Sequence, residues 1–146
     1  EIKSSEGTTQ GDPASMAIYA IAIIPLILML LEISLPIKSA AYADDLTAAG
    51  SLKNLKNWWG HLLELGPKFG YFPEASKTWL IVKNSCIAEA TNTFAEMDIK
   101  ITNQGKRHLG AVIGTEKYKD EYMQVIKTKY HTLCAQYQAS QTSLKN

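Results

Sequence analysis

An α+β domain with an antiparallel sheet is the fold class that the sequence predicts. Apolar residues recur at helical spacing in several segments, and short apolar or alternating runs bounded by Gly, Pro, Asn and Asp lie between them. Helices and strands are therefore mixed along the chain, without a regular alternation of the two. With 146 residues, 46% of them apolar and 20% charged, the chain is long enough for one ordinary domain with a packed core.

The first predicted helix covers the uncharged run MAIYAIAIIPLILMLL, residues 16–31. Asp12 is a suitable N-cap, Pro13 suits the first helical position, and Pro25 is expected to kink the helix or divide it. A membrane-spanning helix needs about 20 apolar residues, and no Lys/Arg cluster flanks this shorter run. We therefore expect a buried core helix rather than a membrane span, although an anchor formed by residues 16–31 stays as an alternative.

A β-hairpin is predicted next, by the stretch IKSAAYADDLTA. Small and apolar residues stand on both sides of Asp44 and Asp45, and Asp is favoured in turns. The expected order is a strand, a tight turn at the two aspartates, and a second strand.

The rest of the chain predicts three helices and further short strands. The segment SLKNLKNWWGHLLELG is helical, with Ser51 as its cap and Gly66-Pro67 as its stop. A strand over residues 79–82, a short helix in SCIAEATNTFAEM, and strands in DIKIT and HLGAVIG follow, with NQGKR as a turn. A long amphipathic helix, TEKYKDEYMQVIKTKYHTLCAQYQ, comes last, and the tail ASQTSLKN is expected to fray.

The charge is unevenly distributed although the whole chain carries only +1. Residues 1–50 have a net charge of −4, and the remainder has a net charge of +5. A basic half beside an acidic pocket suits a polyanion held near metal ions, and an ordinary solvated surface gives the same pattern. Two distant cysteines and a polar N-terminus without a signal-peptide pattern predict an intracellular protein, cytoplasmic or nuclear and not secreted.

The adjacent carboxylates of Asp44 and Asp45 are the candidate metal ligands. Mg²⁺ prefers oxygen ligands, and it is usually held by one or two carboxylates together with substrate phosphates. Two such ions can activate a hydroxyl and stabilise a leaving phosphate, and a bound cation also relieves the repulsion between the two side chains. A plain polar turn is the alternative interpretation of the same two residues.

Four motifs in order give the chain a family resemblance. The sequence Tyr42-Ala43-Asp44-Asp45 resembles the Tyr-x-Asp-Asp box of reverse transcriptases, and TTQGDP upstream resembles their Gln-Gly-Asp-Pro box. Downstream, PEASKTW resembles the lysine-bearing motif, and RHLGAVIG resembles the Leu-Gly strand motif of the primer grip. Together the motifs extend over residues 5–116 and are most similar to those of non-retroviral retroelement polymerases.

The resemblance implies a fold and an activity. It implies an incomplete polymerase palm over residues 1–116 and the start of a helical thumb over residues 117–146. The reaction would be Mg²⁺-dependent nucleotidyl transfer to a primer 3′-hydroxyl, with an RNA or DNA template and a deoxynucleoside triphosphate (dNTP) as partners.

The resemblance also implies roles for single residues. Asp44 would be a direct Mg²⁺ ligand, Asp45 its less strictly coordinating neighbour, and Tyr42 a neighbour of the primer terminus. Lys77 would face the triphosphate and protonate the pyrophosphate leaving group. The remaining assignments are the nucleotide and template contacts Gln10 and Gly11, and the primer-grip residues Leu109 and Gly110.

One departure from the family pattern limits the expected activity. Relatives carry a further metal-binding Asp and a fingers region before the Gln-Gly-Asp-Pro box, which would lie upstream of Glu1. We therefore expect this chain to be part of a longer protein. By itself it should bind Mg²⁺ poorly and polymerise little or nothing. A degenerate or domesticated retroelement fragment that only binds nucleic acid, or is inert, stays open as an alternative.

Overall fold

The protein is represented by a computed structural model that describes residues 12–143, with side chains described over residues 12–137. The chain divides into two compact units, residues 1–74 and residues 75–146. Both units mix helices with short strands, so the described architecture is α+β in the general sense that the sequence predicts. The palm–thumb boundary near residue 116 is a different kind of division and stays a prediction.

The first unit begins with a long apolar helix, α1 (Ser15–Ile33). The backbone N–H of Ala14 donates to a carboxylate oxygen of Asp12 at 2.8 Å, so Asp12 supports the helix start although Ala14 stands at the N-cap position. The helix continues through Pro25 as one element, so of the two expected effects of this proline, a kink or a division, the division does not occur.

The expected burial of α1 is wrong for most of its surface. Only Ile23, Leu26 and Leu30 of this helix are buried; they follow one another at the spacing of a single helical stripe. By length and composition α1 qualifies for a membrane span, with a mean hydropathy of 2.5 and 17% of its most apolar window buried. Most of its other apolar side chains are exposed, among them Ile18, Ile21, Ile24 and Leu28.

A hairpin of two short strands follows, β1 (Lys38–Tyr42) and β2 (Asp45–Ala49). The strands are antiparallel, and the register pairs Tyr42 with Asp45. The two-residue loop is therefore Ala43-Asp44, which corrects the prediction of a turn at both aspartates: Asp45 is the first residue of β2. Two-residue loops are favoured in hairpins because their twist matches that of the strands.

The core of the first unit forms around the next helix, α2 (Leu52–Leu65). Its predicted cap is confirmed, since the Ser51 hydroxyl accepts a hydrogen bond from the backbone N–H of Asn54 at 3.4 Å. The helix passes at Gly66 into a 3₁₀ helix (Gly66–Phe69), at the predicted stop. Helix α1 and Ile37, the residue before β1, contribute to this core, whose apolar members are Ile23, Leu26, Leu30, Ile37, Trp58, Trp59, Leu62 and Leu65.

The second unit contains a strand–helix–strand segment: β3 (Trp79–Ile81), α3 (Ile87–Thr93) and β4 (Lys100–Thr102). The two strands are parallel, which differs from the predicted antiparallel sheet, whereas β1 and β2 are antiparallel as predicted. Parallel neighbours need a crossover connection, and the segment containing α3 supplies it. Ala90 of α3 and Phe94, which directly follows this helix, are buried within the segment.

A second hairpin and the last helix complete the unit: β5 (Gly105–His108), β6 (Ala111–Gly114) and α4 (Glu116–Ser143). The hairpin is antiparallel and closes through Leu109-Gly110. The hydroxyl of Tyr122 donates to the Gly110 carbonyl at 3.3 Å, which attaches α4 to the hairpin loop. The helix ends at Ser143, whereas the sequence predicts a frayed tail from Ala139 onward.

Candidate functional site

The predicted metal ligands lie at the tip of the first hairpin. Asp44 occupies the second loop position and Asp45 begins β2; both side chains are exposed. Neither carboxylate forms an ion pair within the part of the chain that the structure describes. Solvent reduces the mutual repulsion of two exposed carboxylates, and the first hairpin therefore tolerates the pair without a cation from the protein.

The turn itself has an unusual backbone. Ala43 has a φ of 52°, whereas the φ of Asp44 is not positive, a combination that matches a type II′ turn. Glycine is the usual residue at that first loop position, and an L-residue with a side chain costs roughly 1–2 kcal/mol there. Strain of this kind concentrates at sites where the surrounding structure fixes a functional geometry.

Tyr71 forms a hydrogen bond to the turn. Its hydroxyl donates to the backbone carbonyl of Asp44 at 3.2 Å, from the loop that follows the 3₁₀ helix. Burial raises the pKa of Tyr71 to about 12, and the nearby Tyr19, Asp45 and Asp44 contribute in the same direction. Both carboxylates therefore act on this phenol, which stays protonated and able to donate its hydrogen bond at neutral pH.

Tyr19 connects the long apolar helix with the same turn. Burial raises its pKa, and the charge of Asp44 adds to that effect. Tyr19 also lines an apolar groove of about 220 Å³ between α1 and the hairpin, together with Ile23, Ala41 and Ala43. The two phenols, the groove and the two carboxylates thus form one local site, which we call the hairpin site.

The predicted site residues fall into three groups. Tyr42, Asp44 and Asp45 lie together on the first hairpin, and the Tyr42 side chain is 68% exposed at its end. Lys77, Leu109 and Gly110 belong to the second unit, where Lys77 ends a 3₁₀ helix (Ala75–Lys77) and is exposed. Gln10 and Gly11 lie outside the described residues.

The predicted primer-grip pair forms the loop of the second hairpin. Leu109 has a φ of 49° and Gly110 a φ of 80°, the two positive values that a type I′ turn requires. Gly110 suits this conformation, whereas Leu109 is a bulky residue for it and leaves 52% of its surface exposed. An exposed apolar side chain at a strained turn position is available for contact with a ligand.

The hairpin site offers carboxylate oxygens, the type of ligand that Mg²⁺ prefers. Two carboxylates are a usual protein contribution to such an ion, whose remaining ligands are waters and phosphate oxygens. Within the described residues no cluster of three or more His, Cys, Asp or Glu side chains could hold a metal ion. Asp44 and Asp45 alone would therefore make only part of a ligand set, and the other oxygens would have to come from elsewhere.

Sequence patterns did not identify Tyr19 and Tyr71. Tyr19 is one residue of a uniformly apolar helix, and Tyr71 belongs to a loop far along the chain from the aspartates. Only the folded arrangement of the first unit brings them to Asp44. The sequence carries no local signal that distinguishes them from other tyrosines.

Comparison of the chain with protein-family models, with curated proteins and with solved structures finds no match. The four sequence motifs and the geometry of the two hairpins are thus the basis for a functional assignment.

Proposed function

We propose that the chain is part of the palm of an RNA-directed DNA polymerase from a non-retroviral retroelement, with the start of the thumb in α4. The observation that carries this proposal is the first hairpin. It presents Tyr42, Asp44 and Asp45 at the end of two paired strands, with both carboxylates exposed to solvent. A tight turn of this kind gives phosphate-bound metal ions access to two adjacent carboxylates.

The chain's own residues would contribute binding and orientation. Asp44 and Asp45 would hold Mg²⁺, which when bound polarises the primer hydroxyl and neutralises charge on the leaving phosphate. Tyr71 would keep the turn in place through the Asp44 carbonyl, and the exposed ring of Tyr42 would contact the primer terminus. Lys77 would face the triphosphate and supply a proton to the leaving pyrophosphate.

The second unit supports the proposal through its loop and its charge. Leu109 and Gly110 would support the primer from the second hairpin. Exposed lysines on α4, among them Lys127 and Lys129, would contact the phosphate backbone of a duplex without reading its sequence.

Inactivity of the 146-residue chain by itself is part of the proposal. Among the described side chains, residues 12–137, no cluster of three or more possible metal ligands is present. The resemblance places the third carboxylate ligand upstream of the Gln-Gly-Asp-Pro box. We expect no detectable primer extension with Mg²⁺ or Mn²⁺. Robust extension that Asp44→Asn abolishes would contradict this expectation of inactivity and would establish the polymerase itself.

Binding of a primer–template duplex tests the nucleic-acid part of the proposal. We expect the logarithm of the binding constant to fall linearly with the logarithm of the salt concentration. Lys127→Gln/Lys129→Gln should reduce the magnitude of that slope by about 1 to 2, because each lost phosphate contact removes about 0.9. Fluorescence anisotropy of a labelled duplex measures both. The control Lys53→Gln/Lys56→Gln removes the same charge from α2 and should leave the slope nearly unchanged. Absence of duplex binding at about 50 mM salt would favour an inert fragment.

A further inference from the structure

The side chain of Trp79 lies beneath two lysines in the second unit. The Nζ of Lys106 is 4.1 Å from the centroid of the indole ring, and the Nζ of Lys100 is 5.6 Å from it. Both distances are within the roughly 6 Å at which a cation is attracted to an aromatic ring. Trp79 is 39% exposed. Lys100 is exposed and Lys106 is partly exposed, so solvent reaches all three residues.

The strands bring these three residues together. Trp79 pairs with Lys100 in the parallel register of β3 and β4. Lys106 comes from β5, which contacts β3 within the same unit. The cluster is therefore built on strands rather than on loops.

Among the described residues, no carboxylate forms an ion pair with either ammonium group, and the ion pairs in this range involve other lysines. Two like charges that converge on one ring repel each other, and an exposed cation–π contact is a weak interaction. An anion placed between or beside them would relieve the repulsion. The second unit as a whole has ten basic residues against six acidic ones, which favours a polyanion.

We propose that Trp79, Lys100 and Lys106 form a binding site for single-stranded nucleic acid. A base stacks on the indole ring, and the lysines move from the ring to the flanking phosphates, so that each group exchanges a weak partner for a stronger one. Aromatic platforms flanked by basic side chains are the usual means of binding single strands, because every base has a face that can stack. The choice of nucleic acid as the polyanion rests on the proposed function, but the site does not include the hairpin carboxylates.

Tryptophan fluorescence of the full chain tests this site directly. Trp58 and Trp59 are 6% and 5% exposed, so quenching by a stacked base would report on Trp79. With an oligothymidylate of about 16 nucleotides we expect saturable quenching that weakens as salt is added. Lys100→Gln/Lys106→Gln should weaken binding about 10- to 30-fold near 0.1 M salt and reduce the magnitude of the salt slope by about 1.4.

Two further variants separate stacking and local charge from other effects. The control Lys117→Gln/Lys119→Gln removes the same charge from lysines that are paired with Glu121 and Glu116, and should weaken binding less than about threefold. By anisotropy of a labelled strand, Trp79→Leu should weaken binding about 5- to 150-fold, whereas Trp79→Phe keeps a ring and should restore most of it. Circular dichroism of each variant verifies that the fold is kept.

The outcomes distinguish this site from the proposed function. Strand binding without Trp quenching, and with equal affinity in Lys100→Gln/Lys106→Gln, would overturn the Trp79 site and leave the polymerase proposal standing. Failure to bind both the single strand and a primer–template duplex would overturn both. The Trp79 site would also be overturned if a polyanion without bases displaced the single strand as well as a nucleic acid does, and if Trp79→Leu bound the strand with unchanged affinity. Stacking would then contribute nothing to binding.

Discussion

At the scale of single residues, Tyr71 is a side chain that bonds to the backbone of the turn carrying Asp44 and Asp45. Its hydroxyl reaches the Asp44 carbonyl across the first unit, and the phenol is half-buried. The turn contains the strained Ala43, whose φ of 52° the hairpin register and this hydrogen bond both support. A group that fixes a strained turn carrying two candidate ligands acts as a positioning residue for them.

Removing the Tyr71 hydroxyl should lower stability in a pH-dependent way. We expect Tyr71→Phe to reduce the free energy of unfolding by about 1 kcal/mol at neutral pH, the usual net contribution of one hydrogen bond. The folded pKa of about 12 exceeds the ordinary value of 10.0, so the folded state holds this proton more tightly. The contribution is therefore complete below pH 10.0 and is lost as the pH rises towards about 12.

Urea unfolding of wild type and variant across that pH range measures the effect. Tyr130→Phe is a matched control, because Tyr130 is 62% exposed on α4 and its loss should leave stability unchanged. A difference between wild type and Tyr71→Phe that grows above pH 10.0 would contradict the assigned contact, since deprotonation should remove the phenol's donor.

At the scale of elements, α1 combines a narrow buried stripe with wide exposed apolar faces. Leu26 is 0% exposed, whereas Leu28, two positions along the same helix, is 59% exposed. Large exposed apolar patches mark surfaces that bind another protein segment or a membrane. The sequence pattern, which is apolar on every side, could not distinguish these faces; only the contacts of α1 with α2 and β1 do so.

A pair of substitutions tests how α1 packs. We expect Leu26→Ala to lower the free energy of unfolding by about 2–5 kcal/mol, and Leu28→Ala to change it by less than about 0.5 kcal/mol. Fluorescence of the buried Trp58 and Trp59 during urea unfolding reports the loss of this core. Recovery of the chain only with detergent or floating vesicles would contradict this packing and favour a membrane-anchored helix.

The predictability of the elements depends on how local their signals are. The cap at Ser51 and the stop at Gly66 predicted α2 because both act within a few residues of the helix ends. The sequence pattern predicts the first hairpin but places its turn one residue too late. Asp44 and Asp45 both favour turns, and only the pairing of Tyr42 with Asp45 shows that the loop is Ala43-Asp44. The parallel pairing of β3 and β4 was missed, because strand direction depends on the path of the crossover.

At the scale of the whole molecule, the candidate functional residues are shared between two compact units. The first carries the carboxylate hairpin, and the second carries Lys77, the Leu109-Gly110 loop and the Trp79 cluster. The sequence motifs identified the aspartates because they are adjacent. No local pattern marks Tyr71 or the two lysines over Trp79, because their partners lie 20 or more positions away along the chain.

Paramagnetic broadening of the ¹⁵N–¹H spectrum of the chain tests whether the first hairpin binds a divalent metal ion. Mn²⁺ is used in place of Mg²⁺ because it is paramagnetic. If Asp44 and Asp45 are metal ligands, substoichiometric Mn²⁺ should selectively broaden the resonances of residues 42–46, excess Mg²⁺ should reverse the effect, and Asp44→Asn/Asp45→Asn should abolish it. Uniform broadening across the spectrum, or the same selective broadening in the double variant, would contradict the assignment of the hairpin as a metal site.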